Sequence, residues 1–424
     1  MNLFDEIQWR GFVQNYTPNV KNLLNSGVQT VYIGFDPTSD SLHVGNLMQI
    51  IFLSIFQKYG HQPIALIGGA TGMIGDPSGK SKERNLLDLD TLLHNQKCIQ
   101  LQLEKFLDFS LAISNPAKIL NNYEWFKDFN FLDFLRVVGK HISINYMIAK
   151  ESVQKRLEVG ISYTEFSYQL LQAYDFLYLY QNHGCKIQLG GVDQWGNITT
   201  GIELIRRVIN CEADAITAPL LTKADGTKFG KSESGNVWLD PKKTSPYKFY
   251  QFWLNTPDND VEKLLKIFTF LSKEEIDSII SQHQNEPHLR IAQKKLAEFV
   301  TTLVHSKVDL EKAIEASQLL FGDSNKESFL KFQWNELEEI FEGVPFSQVS
   351  SEYFYEPKDA ISVLSELNIY PSKSEARKAL QAGAVKINKN KIQLDYTFSS
   401  EDWILNKFIL VQKGKKNYHL ILKL

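Results

Sequence analysis

Two groups of residues in this chain have types and spacing suited to handling a polyphosphate. The first runs from Tyr32 through Gly34 and Asp36 to Pro37, Thr38 and the tetrad His43-Val44-Gly45-Asn46. Spaced two apart on a predicted strand, Tyr32, Gly34 and Asp36 share one face. Pro37 ends that strand. A helix is expected from about Ser41, which puts His43, Gly45 and Asn46 in its first turn. A helix N-terminus offers N–H groups and positive potential to an anion. His43 and Asn46 can donate to phosphate, and Gly45 lets a base or phosphate chain approach the backbone. Taken alone, the tetrad is better read as a capped surface helix.

The second group is Lys228-Phe229-Gly230-Lys231-Ser232, just after Lys223-Ala224-Asp225-Gly226. Such a polar loop can fold over phosphates, with Lys228 and Lys231 offsetting charge that develops in a transition state. Alone, it is more simply a solvated loop. Two other glycine-rich stretches fail on spacing. Gly69, Gly72 and Gly75 do not make a dinucleotide loop, and Gly75 to Ser81 has Ile74 where a phosphate-binding loop needs glycine.

A third constellation is Tyr168, Gln172 and Asp175, at i, i+4 and i+7, which makes one stripe of a helix. Their neighbours Leu170, Leu171, Ala173, Phe176 and Leu177 are apolar. Polar groups in so apolar a helix need partners, because unpaired burial is costly. They form either a network that ties helices together or the wall of a binding pocket.

The elements that must position these groups alternate. Strands are expected at Thr30–Phe35, Pro63–Ile67, Lys186–Leu189 and Ala215–Leu221. Helices are expected at Leu42–Tyr59, Leu86–Phe109 and Thr164–Gln181. This order predicts an α/β fold, a parallel sheet with helices on both faces. Ligands on such sheets bind at the carboxyl ends of strands near the switch point. Residues 245–342 read as all helical (Val261–Phe270, Lys273–Gln282, Arg290–His305, Leu310–Phe321). Residues 343–357, with Pro345, Pro357 and serines, read as a linker. The tail reads as a small α+β module: helices at Asp359–Leu367 and Ser372–Gln381, then short runs at Val385–Ile387, Phe408–Gln412 and Tyr418–Leu422. The expected partition is 1–225, 226–342, a linker at 343–357, and 358–424.

At 424 residues, two or three domains are expected. From Lys358 onward there are 12 Lys/Arg against 6 Asp/Glu, a net of +6, whereas the rest carries a net of −9. A basic module on an acidic body suits a polyanionic partner, although a solvated surface is the plainer reading of charge alone. Cys98, Cys185 and Cys211 are scattered, the histidines form no metal-binding spacing, and no structural metal is expected. No twenty-residue apolar stretch occurs, and Met1 to Arg10 lacks the pattern of a signal peptide. A cytoplasmic protein without a membrane span is therefore expected.

Taken together, Tyr32–Asn46 and Lys228–Ser232 resemble the two signatures of class I aminoacyl-tRNA synthetases. Gly34 to Asn46, Gly68 to Gly79, Asn121-Asn122-Tyr123, Tyr163 to Asp175 and Gly190 to Asn197 are similar to the tyrosyl branch of bacterial type. The tail resembles an S4-type RNA-binding domain through Ser374 to Lys378 and Gly383 to Val385. The resemblance covers nearly the whole chain. It implies a Rossmann-like catalytic domain, a helical anticodon-binding domain, and a homodimer acting on L-tyrosine, ATP with Mg²⁺, and tRNA(Tyr). It assigns the substrate phenol to Tyr32 and Asp175, and the substrate ammonium to Tyr168, Gln172 and Asp76. Gln194 falls near the tyrosine carboxylate and Asp193 near the ribose. Gly34, Asp36, His43, Gly45, Gly191 and Lys231 fall on ATP. Thr38, His43, Asn46, Lys228, Lys231 and Ser232 form the catalytic set, and Lys80 and Arg84 lie toward pyrophosphate and the tRNA end. One departure is that Asn46 stands where the family signature has a second histidine. Two other readings stay open: a tryptophanyl-type ligase, and a non-catalytic RNA-binding relative. A nucleotidyltransferase without tRNA fits the helical and basic regions poorly.

Overall fold

β-Branched and aromatic residues form the strand expected at Thr30–Phe35, and it lies inside a six-stranded sheet. The strands are β1 (Asn15–Tyr16), β2 (Thr30–Phe35), β3 (Gln62–Ile67), β4 (Lys118–Asn121), β5 (Cys185–Gly191) and β6 (Asp214–Ala218), in the order β1-β6-β5-β2-β3-β4. β1 runs antiparallel to β6, and the remaining neighbours are parallel. The chain moves outward from β2 through β3 to β4, then returns to place β5 on the other side of β2. The switch point therefore lies between the carboxyl ends of β2 and β5, where ligands of such sheets bind. The fold is the expected α/β arrangement with a parallel sheet. Two strands were not foreseen: β1 has only two residues, and β4 is a short run flanked by Pro116 and paired asparagines. The last parallel strand stops at Ala218, before Pro219, which has no N–H to continue the ladder.

The computed structural model describes residues 1–78, 86–158, 160–232, 235–322, 325–414 and 417–424, with only the backbone of Lys155, Lys231, Ser232, Leu320 and Phe321. The chain divides into two compact units, Met1–Ser245 with Phe252–Ser306, and Pro246–Gln251 with Lys307–Leu424.

In the first unit the helix Val44–Lys58 follows β2 and Leu89–Leu103 precedes β4. Tyr163–His183 precedes β5, and Trp195–Ile209 joins β5 to β6. A Cβ on Gly201 would lie 3.0 Å from the Phe176 ring, so any larger residue there would press on Phe176 between these last two helices. Tyr32, Ile64, Leu66, Ala173, Phe176, Leu177 and Leu204 share one buried cluster. Each large apolar side chain buried there contributes about 1.5–3 kcal/mol. Three helices of the predicted helical region, Asp258–Phe268, Lys273–Asn285 and Ile291–Val304, belong to this unit. Buried Arg10 donates to the carbonyls of Lys266, Thr269 and Leu271 at 2.7–2.8 Å, closing the first of them.

The second unit is built on a sheet of Phe346–Val349, Val385–Ile387, Asn390–Lys391, Phe408–Lys413 and Asn417–Lys423. Its two faces follow the alternation of Phe408–Lys413. Ile409 and Val411 pack with Val363, Leu364 and Ala376, while Phe408 and Leu410 pack with Phe329, Leu337 and Phe341. The stretch 343–357, expected as a linker, thus supplies one strand of this sheet. Phe346–Val349 pairs in parallel with Leu420–Lys423. Among the described residues, no helix is long and apolar enough to cross a membrane.

Candidate active site

The helix after β2 begins at Val44, later than expected, and His43 is its cap. His43 Nδ1 accepts from the Gly45 and Asn46 N–H groups at 3.0 and 3.3 Å, and Asn46 Oδ1 accepts from the His43 N–H at 3.1 Å. An accepting Nδ1 leaves the ring proton of the neutral imidazole on Nε2, so the histidine presents a donor edge. Asn46 uses its oxygen on the backbone and keeps its amide as the donor. With asparagine at position 46 the cap is reciprocal.

Ahead of the cap, Gly34 is exposed and nothing lies within 4 Å of where its Cβ would be. Asp36 accepts from Thr71 Oγ1 at 2.7 Å and from the Tyr168 hydroxyl at 2.8 Å. A Cβ on Gly68 would fall 2.0 Å from the Asp36 carboxylate, so that turn tolerates only glycine. Thr38 is exposed just beyond.

The second signature lies against the first. The segment after Gly230 runs beside the cap, with Val44 N–H donating to Val237 O at 3.0 Å and Leu239 N–H to Leu42 O at 2.9 Å. His43 and Trp238 form an isolated antiparallel bridge. Lys223 to Thr227 closes a turn, and Lys228 is exposed after it. Lys231 and Ser232 pair with Asn236 and Gly235 through the backbone, and their side chains lie outside the described residues. Lys80 and Arg84 also lie outside them.

At the end of β5, Gly190 and Gly191 belong to the strand itself, and the turn comes at Val192–Gln194. A Cβ on Gly191 would meet Asp193 Oδ1 at 2.4 Å. Burial first, then the charge of Asp76, raises the Asp193 pKa, while Gln194 and Lys228 draw it back. Gln194 Nε2 donates to Asp76 at 2.6 Å. Asn197 Nδ2 lies within 3.1–3.4 Å of oxygens on Gln172, Gln194, Ser78 and Asp76. Asn197 thus gathers two of the three predicted ammonium-binding residues, Gln172 and Asp76, around one amide, while Tyr168 bonds to Asp36 instead. It stands three residues after Gln194 in the first helical turn, a spacing that signals the contact.

The Tyr168–Asp175 stripe borders this network. Asp175, 2% exposed, accepts from Asn122 Nδ2 at 3.0 Å and Trp125 Nε1 at 2.9 Å. Burial pushes its pKa up to about 8 against the lowering effect of those two donors. Neither donor had a local signal, since each lies some fifty residues away in sequence. Tyr32 is 1% exposed, and its buried hydroxyl has no hydrogen-bond partner among the described residues. Burial and the nearby Asp175 charge hold its pKa well above the usual phenol value. The structure thus brings together Tyr32, Asp36, Asp76, Tyr168, Gln172, Asp175, Asp193 and Gln194, with the His43 cap on the neighbouring helix.

Residues 25–322 match the tRNA synthetases of class I (W and Y), and residues 336–421 match the SYY-like C-terminal domain of tyrosine–tRNA ligases. The chain is 54% identical over 428 residues to the tyrosine–tRNA ligase of Bacteroides thetaiotaomicron, covering all of both chains. It is 53% identical to that of Flavobacterium johnsoniae, covering 99% of each. A C-terminally truncated mitochondrial tyrosyl-tRNA synthetase from Aspergillus nidulans superposes with a TM-score of 0.68 at 29% identity, covering 75% of this chain and 94% of that one. A sheet whose switch point meets a capped His-x-Gly-Asn helix, and full-length identity above one half, lead to one assignment: this chain belongs to the class I tRNA synthetases and, within them, to the tyrosine–tRNA ligases.

Proposed function

We propose that the carboxyl ends of β2 and β5 hold L-tyrosine and ATP side by side, forming tyrosyl-adenylate before tyrosine passes to the 3′ end of tRNA(Tyr). The observation that carries this reading is the buried, unpartnered Tyr32 hydroxyl in the cluster that borders Asp175. A phenol entering there gives the Tyr32 hydroxyl a partner and adds one to Asp175, whereas a phenylalanine ring leaves the Tyr32 hydroxyl unpaired. Tyr168, Gln172 and Asp76 take the ammonium group, and Gln194 lies by the carboxylate. Asp193 accepts from the ribose, while Gly34, Asp36, Gly45 and Gly191 frame the nucleotide.

The substrate carboxylate attacks the α-phosphorus. A P–O bond forms, the bond to the bridging oxygen breaks, and pyrophosphate leaves with the electron pair. The nucleophile is already an anion, so the chain supplies position and charge stabilisation, not a general base. His43, through Nε2–H, acts with Asn46, Thr38, Lys228, Lys231 and Ser232 on the phosphates. Lys80 and Arg84 act on pyrophosphate and the tRNA end. No three His, Cys, Asp or Glu side chains converge as a metal cluster among the described residues. Mg²⁺ accompanying ATP would be held largely by phosphate oxygens and water.

The regions 226–342 and 358–424 contact tRNA, the second through exposed Arg377, Lys378 and Lys391. The exposed Phe131, Leu132 and Ile144, each more than 60% accessible, support a homodimer. The cytoplasm is the proposed location.

ATP–pyrophosphate exchange with each of the twenty amino acids tests the reading. Exchange with tyrosine alone supports it. Exchange with tryptophan overturns the roles of Tyr32 and Asp175, and no exchange at all favours a non-catalytic RNA-binding relative.

A further inference from the structure

The helix Leu89–Leu103 lies outside both signature segments, yet it holds the main chain of the first signature at both ends of the loop between β2 and the His43 cap. Leu92, Asn95, Ile99 and Leu103 face inward, while Leu93 and Leu101 are exposed. From this inward side, buried Asn95 donates through Nδ2 to Pro37 O at 3.1 Å. Seven residues on, Gln102 Oε1 accepts from the Leu42 N–H at 2.9 Å, and its Nε2 donates to Ser41 Oγ at 3.1 Å. Asn95 and Gln102, two turns apart on one face, thus grip the loop where it leaves β2 and where it enters the His43 cap.

Ser41 is the junction. Its hydroxyl donates to Leu42 O at 2.8 Å and accepts from the Asp240 N–H at 3.2 Å. Leu42 O also accepts from the Leu239 N–H, and Val44 N–H reaches Val237 O. The residues bound to Gln102 are therefore the same ones that join the His43 segment to the stretch Val237–Asp240 that follows Lys228–Ser232. On the solvent side, Lys243 and Asp40 add an ion pair of 2.6 Å across the same seam. The Leu42 N–H precedes the cap and has no helical carbonyl to bond, so the Gln102 amide fixes its direction.

We propose that Gln102 is a positioning residue: it holds the His43 cap in register with the lysine-bearing loop, so that both meet the same phosphates. This rests on reading those two segments as the nucleotide site. Gln102 touches no substrate. Its contribution is to the transition state, where small misplacements of catalytic groups cost much of the rate.

The test compares Gln102→Leu, Gln102→Glu and the exposed control Gln100→Leu in tyrosine-dependent pyrophosphate exchange, with tyrosine affinity measured by equilibrium dialysis. Gln102→Leu lowers exchange kcat about tenfold or more and leaves tyrosine affinity unchanged. Gln102→Glu keeps an acceptor for the Leu42 N–H and recovers most of the rate. Equal kcat for Gln102→Leu and Gln100→Leu overturns the proposal. So does a loss of tyrosine affinity that matches the loss of rate. If Gln102→Leu does not fold, Ser41→Ala removes the same junction hydroxyl and is read by the same two measurements. His43→Ala is run beside them. Full exchange by His43→Ala removes the nucleotide-site reading itself, whereas impaired exchange there with normal Gln102→Leu defeats this inference alone.

Discussion

The Tyr168 hydroxyl donates to Asp36 Oδ2 at 2.8 Å, joining the helix Tyr163–His183, the proposed wall of the amino-acid pocket, to the residue that follows β2, on the proposed nucleotide side. Tyr168→Phe deprives that carboxylate of a donor, a cost of about 1–3 kcal/mol. The expected result is a rise of about 5- to 100-fold in the KM for tyrosine, accompanied by a smaller rise for ATP. Steady-state exchange with each substrate varied in turn measures both. An unchanged KM for ATP would show that the bond does not link the two halves of the site.

Tyr32→Phe separates stability from specificity. In the free protein the lost hydroxyl is buried without a partner among the described residues, so its removal leaves stability unchanged or raises it by up to about 1 kcal/mol. Discrimination between tyrosine and phenylalanine falls at the same time. Chemical denaturation and exchange with both amino acids report the two effects. A large destabilisation would mean that the hydroxyl is satisfied by a bound water.

Asp175 gives a pH dependence of definite sign. Its pKa rises from 3.8 to about 8 on folding, mainly through burial. Between those values the folded chain keeps a proton that the unfolded chain has lost, so this carboxyl makes stability fall as pH rises from about 4 to 8. Above 8 the effect is constant. Asp175→Asn removes this slope. Denaturation midpoints for both proteins from pH 5 to 9 should converge at the acid end and diverge toward pH 8. Parallel curves would place the titration elsewhere.

Ending the chain at Ser350 removes the strands Phe408–Lys413 and Asn417–Lys423 and uncovers Phe329, Leu337 and Phe341. The expected outcome is retained adenylate formation, lost aminoacylation, and increased binding of a hydrophobic dye. Aminoacylation that survives at physiological salt would contradict the assignment of tRNA contact to the tail.

The sequence made the central strands legible because Thr30–Phe35 and Pro63–Ile67 are continuous β-formers between turn residues, and because fully buried strands need no alternation. The stripe Tyr168–Gln172–Asp175 was legible through helical period alone. What was not legible was non-local. Asn122 and Trp125 reach Asp175 only because β4 lies beside β3, and β4 itself has too few residues to show a period. The strand Phe346–Val349 was hidden by prolines and serines on either side, since pairing with a distant partner outweighed its local composition. His43 was recognised as polar chemistry, but its role as a cap depends on where the first turn begins, and that boundary is the least local feature of a helix.

The Asn417–Lys423 strand sits between Phe408–Lys413 and Phe346–Val349 in its sheet, although it follows both in the chain. Phe346–Val349 therefore emerges early and waits for a neighbour made some seventy residues later. Its pairing closes a long loop, which is entropically slow. The parallel sheet of the first unit requires no residue beyond β6 to complete its strands. During translation the parallel sheet can be assembled while the tail sheet still lacks the strand that links Phe346–Val349 to Phe408–Lys413, so the catalytic fold can be ready before the C-terminal module.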